Sequence, residues 1–391
     1  MTLNIAYLSQ GKLFLKSGDL PIQQIESSFG QEVINRTVQR YQKKEWKTKG
    51  GQASPFGGSA LWGVHEGDPG DLAARITGVT RGERDDQMLY TLAIEGAGGL
   101  FLYDWSANQE KRLFHKEYFY IRDLDRHLDL GLVACSQSLP NGTAHIGLIK
   151  GFQVQQVTEG DSVDEAPTWI PGPGKALVFQ SAGIARNSNG HPFGLGPFAV
   201  HRLNLESGEM TSLLEDPKFD FLLPHLDTAG NLYFIRRPYE APGRSAYPIH
   251  KLLLDILLFP FRLTRAIIHF LNAFSVLFSK KPLLTASGIK MEGPDERMIM
   301  LRGRIMDTQK ILRESAQNKE APYLAPASWE LVRRSPASDE QVLAGHVVAF
   351  DLDSQGRLVY TNGSAIYQLE TDGQARLLGK GHLIEDVMII G

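Results

Sequence analysis

The sequence predicts an all-β fold, and three observations carry that expectation. Many of the 39 glycines sit in turn signals such as Ser9-Gln10-Gly11, Asn141-Gly142, Thr228-Ala229-Gly230, Ser354-Gln355-Gly356 and Thr371-Asp372-Gly373. Hairpin turns need residues that tolerate positive φ, which glycine and asparagine supply. Between the turns, runs such as Leu232–Ile235, Arg357–Thr361 and Ala365–Leu369 alternate with period two and are rich in Val, Ile, Leu, Phe and Tyr. The runs also recur in groups, which is the signature of a repeat architecture.

Composition narrows the function classes. The chain has 391 residues, 42% hydrophobic and 22% charged, which excludes wholesale disorder and a multi-span membrane protein. A net charge of −3 gives no global reason to expect a nucleic-acid partner. One cysteine, Cys135, rules out a disulfide framework and a multi-cysteine metal site; its place in an apolar run predicts a small buried hydrophobe. The opening residues lack a basic stretch followed by an apolar one, so no export signal is expected and a cytoplasmic location follows as an expectation.

The repeating units read in order as follows. Asn4–Leu8, Lys12–Lys16 and Pro21–Ile25 supply three strands. Four-strand groups follow over about 71–116, 117–158, 163–215, 219–344 and 346–380. Glu385–Ile390 is then one strand left over, and it completes the first group as its innermost member. Small four-stranded sheets cannot bury both faces alone, but they can when stacked radially. The expected architecture is therefore a six-bladed β-propeller over 1–391, closed by its N- and C-terminal strands. A seventh blade would require strands hidden in Pro55–Val64. A two-sheet sandwich leaves the orphan strand unexplained.

The segment Val157–Ser181 carries the skeleton Thr158, Gly160, Pro167, Trp169, Pro171, Gly174, Leu177, Phe179 and Ser181. It resembles the blade motif of TolB-like β-propellers, with Ile170 and Gly172-Pro173 as departures from the usual pattern. Weaker echoes lie at Leu223–Phe234 and Phe350–Tyr360. The resemblance implies a six-bladed propeller engaged in protein–protein contact, or a propeller fused to a peptidase. No hydrolase domain is expected after the ring, a departure that weakens the peptidase reading.

Three insertions interrupt the pattern: 27–58, Gly183–Pro197 and 240–327. Blade topology places all three on one face, and long loops on a rigid scaffold usually carry function. In the first insertion, Gln31–Lys49 reads as a helix with Val33, Ile34, Val38 and Tyr41 on one side. Its six basic residues, among them Arg36, Arg40, Lys43, Lys44 and Lys47, face two acidic ones. The helix reads either as a solvated cap or as an element drawn to an anionic or membrane surface. In the third insertion, 17 of the 27 residues in Leu252–Phe278 are Leu, Ile, Val or Phe, so the segment must be covered by something. Leu257, Phe259, Phe261, Phe270, Phe274 and Phe278 are its candidate contacts, with Arg262, Arg265, Lys280 and Lys281 at its polar edge. Its longest charge-free stretch has 14 residues, short of the ~20 that cross a bilayer. An in-plane amphipathic helix at a membrane surface, self-association through residues 248–282, and packing within the chain all stay open. Met291–Lys319 is expected to form another helix.

Catalytic signals are sparse. The sequence has no G-x-S-x-G elbow, no H-E-x-x-H, no phosphate loop and no C-x-x-C. Gly194 and Gly196 read as loop glycines, and no cofactor is expected. Asp123, Asp125, Asp164, Glu165, Asp220, His225 and Asp227 fall on or near innermost strands. They read as turn and strand-end groups satisfied locally, or as residues that reach a central channel and bind a cation. The function expected is a non-enzymatic scaffold for a protein partner, peripheral to a membrane. The alternative is a lactonase-like propeller hydrolase with a metal in its channel.

Overall fold

A computed structural model describes residues 3–18, 20–49, 74–94, 97–117, 119–187, 189–241, 298–307 and 321–391. The chain begins with β1 (Asn4–Ser9), β2 (Lys12–Ser17) and β3 (Gln23–Ile25), followed by helix α1 (Ser28–Lys49). The next meander is β4 (Arg75–Arg81), β5 (Gln87–Ile94), β6 (Ala97–Asp104) and β7 (Gln109–Glu117). It is followed by β8 (Tyr120–Arg126), β9 (Val133–Ser138), β10 (Ala144–Lys150) and β11 (Gln153–Gln156). The segment bearing the tryptophan skeleton forms β12 (Ser162–Trp169), β13 (Ala176–Arg186), β14 (Pro192–Leu195), β15 (Ala199–Asn204) and β16 (Met210–Leu214). Then come β17 (Phe219–Leu226) and β18 (Leu232–Pro238), a separate pair β19 (Met298–Leu301) and β20 (Arg304–Asp307), and β21 (Glu330–Arg334) with β22 (Glu340–Ala344). The chain closes with β23 (Ala349–Leu352), β24 (Leu358–Thr361), β25 (Ala365–Leu369), β26 (Ala375–Lys380) and β27 (Ile384–Ile389).

Hydrogen bonding groups these strands into four-stranded antiparallel sheets, with β12-β13-β15-β16 and β17-β18-β21-β22 as examples. A single parallel bridge, Ala144 to Val163, stitches β10 to β12 where two sheets meet. The innermost strands of the sheets surround an axis. Among the described residues, β4 touches β8, β8 touches β12, β12 touches β17, β17 touches β23, β23 touches β27, and β27 returns to β4. Apolar clusters fill the wedges between neighbouring sheets. One joins Leu89 and Leu100 to Phe119, Ile121 and Cys135; the next joins Ile146 and Leu148 to Trp169, Leu177 and Phe179. Cys135 is fully buried there, and burial pushes its thiol up to about 12.

The last strand completes the first sheet. β27 pairs antiparallel with β1, with Ile5 opposite Ile389 and Tyr7 opposite Val387. The Asn4 N–H donates to the Gly391 carbonyl at 3.1 Å and the Ile390 N–H to the Asn4 carbonyl at 2.9 Å. Ile384, Val387, Ile389 and Ile390 are all buried at 2% exposure or less, so this strand supplies core as well as hydrogen bonds.

Helix α1 starts on a defined seat. Ser27 caps it by accepting the Gly30 N–H at 3.0 Å. The Glu110 carboxylate on β7 accepts from the Ser27 hydroxyl at 2.5 Å, from the Phe29 N–H at 3.1 Å, and from the hydroxyls of Ser28 and Tyr90. Burial alone would raise the Glu110 carboxyl, but these donors lower it, and its charge complements the helix N-terminus. Phe29 packs on Phe101 and His115, so the first turn rests against the flank of the β4–β7 sheet. Arg36 is exposed and pairs with Glu32; the side chains of Arg40, Lys43, Lys44 and Lys47 lie outside the described residues. Among the described residues, no helix is long and apolar enough to cross a membrane.

Two insertions differ from expectation in their local structure. Gly183–Pro197 is a ribbon: β13 runs on past its sheet and pairs with β14. Met298–Asp307 is a β-hairpin and not part of a helix. Leu301 pairs with Arg304 across the two-residue turn Arg302-Gly303, whose φ values are 45° and 74°. Both central residues at positive φ make the turn that matches strand twist, and a Gly at its second position favours it. Met298, Ile299, Leu301 and Ile305 fit helical spacing as well as alternation, and that ambiguity is why periodicity misreads the segment. The residues Leu257, Phe259, Phe261, Arg262, Arg265, Phe270, Phe274, Phe278, Lys280 and Lys281 lie outside the described residues.

The pairing of β27 with β1 makes a testable statement about closure. Ile389→Ala should lower stability by about 2–5 kcal/mol through the cavity it leaves. Removing residues 384–391 should lower the melting temperature far more. A truncated chain that melts with the full-length one would show that the ring does not depend on this strand.

Candidate functional site

The first strands of several sheets carry a bulge at a similar level. Register breaks occur between Arg122 and Asp125, between Glu165 and Thr168, and between Leu222 and His225. At these breaks Asp123, Ala166 and Leu223 take positive φ near 51–52°. Pro167 and Pro224 follow two of them and cannot donate to a ladder, which suits an interrupted register. Among the described residues, nine non-glycine residues have positive φ, and six of them line one cavity: Gln10, Asp123, Ala166, Leu223, Arg302 and Leu383. Each left-handed residue costs roughly 1–2 kcal/mol, and strain of this kind concentrates at functional sites.

The cavity encloses about 910 Å³ at the mouth of the ring. Its wall comes from β4, β8, β12, β17 and β27, and its rim from the β13–β14 ribbon and the β19–β20 hairpin. Both expected loop glycines are rim residues, but Gly194 sits in β14 opposite Ala185, and only Gly196 lies outside a strand. The wall is a circuit of arginines and carboxylates. Arg122 meets Glu165 at 3.3 Å, and Arg237 meets Asp220 at 2.8 Å. From the hairpin, Arg304 reaches Asp220 and Glu240, both at 3.1 Å, and Arg302 reaches Asp386 at 3.0 Å. Burial raises the carboxyls of Glu165 and Asp386, opposed by the charges of Arg122 and Arg302.

Two residues further along the same strands, a second polar cluster lies beyond the cavity. Asp351 on β23 accepts the Ile389 N–H at 2.7 Å and stands 3.3 Å from His225 Nε2 and 3.8 Å from Arg81. His225 Nδ1 lies 3.1 Å from the Leu223 carbonyl, so both ring nitrogens face acceptors. Burial alone would lower the His225 pKa; the Asp351 hydrogen bond and charge outweigh it and raise it. Asp351 is lowered by the same pairing in spite of its burial. Asp125 accepts the Trp169 N–H at 2.7 Å, and burial pushes its carboxyl up to about 6.

The sequence candidates therefore separate into three groups. Asp123, Glu165 and Asp220 line the cavity; Asp125 and His225 lie in the deeper cluster. Asp164 and Asp227 are structural. Asp164 is buried and accepts from the Thr158 hydroxyl at 2.6 Å and the Ser181 hydroxyl at 2.7 Å, which explains two positions of the tryptophan skeleton. Asp227 holds a turn by accepting the N–H groups of Ala229 and Asn231. Among the described residues, no group of three or more His, Cys, Asp or Glu is placed to hold a metal ion. Sequence reasoning missed Arg122, Arg237, Arg302, Arg304 and Asp386; the Arg302-Gly303 turn was the one local signal available.

The ring of inner strands and the hydrogen-bonded skeleton define the architecture. The fold is a β-propeller similar to that of TolB. No family model and no curated protein matches the chain. Among solved structures, TolB from Acinetobacter baumannii matches over 98% of this chain at 11% identity with a TM-score of 0.49, and the chain spans 66% of it. A nidogen/laminin complex matches over 98% of this chain and 97% of its own at 9% identity, TM-score 0.49. A putative gluconolactonase matches over 81% and 84% at 10% identity, TM-score 0.40. Likeness at this level carries no argument about fold or activity.

The deeper cluster predicts two opposite mutational signs. Asp351→Ala leaves His225, Arg81 and the Ile389 N–H without their acceptor and should cost about 3–5 kcal/mol. Asp125→Asn keeps an acceptor for Trp169 but cannot ionise. A carboxyl raised from 3.8 to about 6 loses stability as pH rises through that window. The asparagine variant should therefore be more stable by about 1–3 kcal/mol at pH 7.5, with the gain shrinking toward pH 4.5. His225, being raised, adds stability that is full below its unfolded pKa and is lost as pH rises through the folded one. Thermal melts at the two pH values test this, and an equal effect of Asp125→Asn at both would refute it.

Proposed function

We propose that the chain is a six-bladed β-propeller acting as a non-enzymatic scaffold for a protein partner. The blade count rests on six innermost strands touching in a cycle, each paired into a run of four strands among the described residues. The observation that carries the scaffold reading is the convergence of two insertions, the β13–β14 ribbon and the β19–β20 hairpin, on one charged mouth. Rigid walls with added ribbons at one end suit recognition of another chain. Glu165, Asp220, Glu240 and Asp386 there are each paired with arginine, which favours a scaffold over a metal-dependent lactonase.

The reading extends to a cytoplasmic membrane surface. The apolar run Leu252–Phe278 with its basic flank, and the basic residues of Gln31–Lys49, support peripheral attachment. The charge component should weaken with salt while the apolar component persists. Vesicles containing phosphatidylserine should therefore co-sediment with the protein at low salt and retain part of it at 1 M salt. Changing Phe270, Phe274 and Phe278 to Ser should remove the retained part. A protein that ignores such vesicles at low salt sinks the membrane component, and a concentration-dependent dimer in its place assigns the apolar run to self-association. Saturable ester or lactone turnover dependent on Ca²⁺ or Mg²⁺ would overturn the non-enzymatic reading.

A further inference from the structure

We propose that the hairpin β19–β20 occupies a guanidinium-binding mouth as an internal stand-in, and that an arginine-bearing segment of the partner protein takes its place. The proposal rests on the scaffold reading and names the chemistry of the partner. Among the described residues, β19 and β20 pair only with each other and join none of the four-stranded sheets. The hairpin is thus a visitor to the ring, held by side chains.

The seats that hold it are built for guanidinium groups. Arg304 donates to Asp220 at 3.1 Å, to Glu240 at 3.1 Å and to the Pro238 carbonyl. Asp220 is only 3% exposed and also receives Arg237 at 2.8 Å, so a buried carboxylate is shared by one resident and one visiting arginine. Arg302 donates to Asp386 at 3.0 Å and to the Val348 carbonyl at 3.3 Å. The Arg302 carbonyl in turn accepts from Arg237 at 2.8 Å, which fixes the backbone of the turn. Beside these seats Leu301, 1% exposed, packs with Trp329, Leu324 and Val348. An apolar anchor followed by arginine, glycine and arginine is therefore the pattern the mouth accepts. A planar guanidinium matches carboxylates and carbonyls in this fork geometry better than an ammonium does.

Charge agrees with that pattern. Setting aside the hairpin's two arginines, the described lining of the cavity holds six carboxylates against three arginines. A concave acidic wall of this kind concentrates cationic groups. A covalently attached competitor has an effective concentration on the order of millimolar. It lowers the apparent affinity for an external segment by the fraction of time the mouth is vacant.

The experiment uses the full chain and a fluorescent peptide of residues 300–306 as the probe, read by anisotropy. The R302A/R304A variant should bind this peptide at least tenfold more tightly than the unaltered chain. Adding Asp386→Asn and Glu240→Gln should weaken that binding about tenfold, and a peptide with both arginines replaced by glutamine should not bind. Equal binding of the arginine and glutamine peptides, or no binding to a folded R302A/R304A chain, overturns the proposal. Should that variant not fold, hydrogen exchange on the unaltered chain decides: at millimolar probe, amides of 298–307 should exchange faster, and unchanged exchange overturns it. Failure of the peptide with no metal-dependent ester or lactone turnover would remove the guanidinium seat alone, whereas failure together with such turnover would remove the scaffold reading with it.

Discussion

Asp351 stands on β23, yet its partners come from three other sheets: Ile389 from the closing strand, His225 from β17 and Arg81 from β4. A carboxylate 5% exposed would be costly without them. With them it links the inner strands from within the ring, beside an apolar cluster that joins Val163, Leu222, Phe350 and Val387. Polar groups also join the inner strands around the axis. Those groups divide into two levels, one sealing the interior through Asp351, His225 and Asp125, and one at the mouth through arginine–carboxylate pairs.

The tryptophan skeleton makes sense as a device for the same purpose. Thr158 and Ser181 hold Asp164 between them, while the Trp169 N–H donates to Asp125 on the preceding sheet's first strand and its indole N–H to the Asp125 carbonyl at 3.2 Å. Between these anchors Ala166 turns left-handed and Pro167 withholds a ladder donor. One stretch of sequence therefore fixes its own sheet, docks it on the neighbour and sets the bulge that shapes the cavity wall.

Much of the strand order was legible because it depends on local signals. Turn glycines, alternation and the unpaired run Glu385–Ile390 each point to pairing that the hydrogen bonds display, and residues near Gln31–Lys49 do form a helix. The cavity was only half legible. Asp123, Glu165 and Asp220 could be suspected from their place on first strands. The arginines that meet them could not, because Arg122, Arg237, Arg302 and Arg304 come from four separate strands or turns, and the bulges shift which residue faces the axis. The hairpin was misread since its apolar residues satisfy two periods at once. The helix seat was hidden as well: nothing near Ser27 announces that Glu110, on another sheet, will receive its hydroxyl.

The pairing of β1 with β27 also has a consequence for how the protein is made. Ile5 and Ile389 are neighbours in space but lie far apart in the order of synthesis. At ~5–20 residues per second, the ribosome takes roughly 20–80 s to deliver the last strand after the first. Throughout that time β1 presents an unpaired edge of buried-type residues, Ile5 to Leu8, with no partner to cover it. Until β27 arrives, the nascent ring is thus an open arc with an adhesive end. Contacts this distant in sequence also place final ring closure among the slow steps of folding.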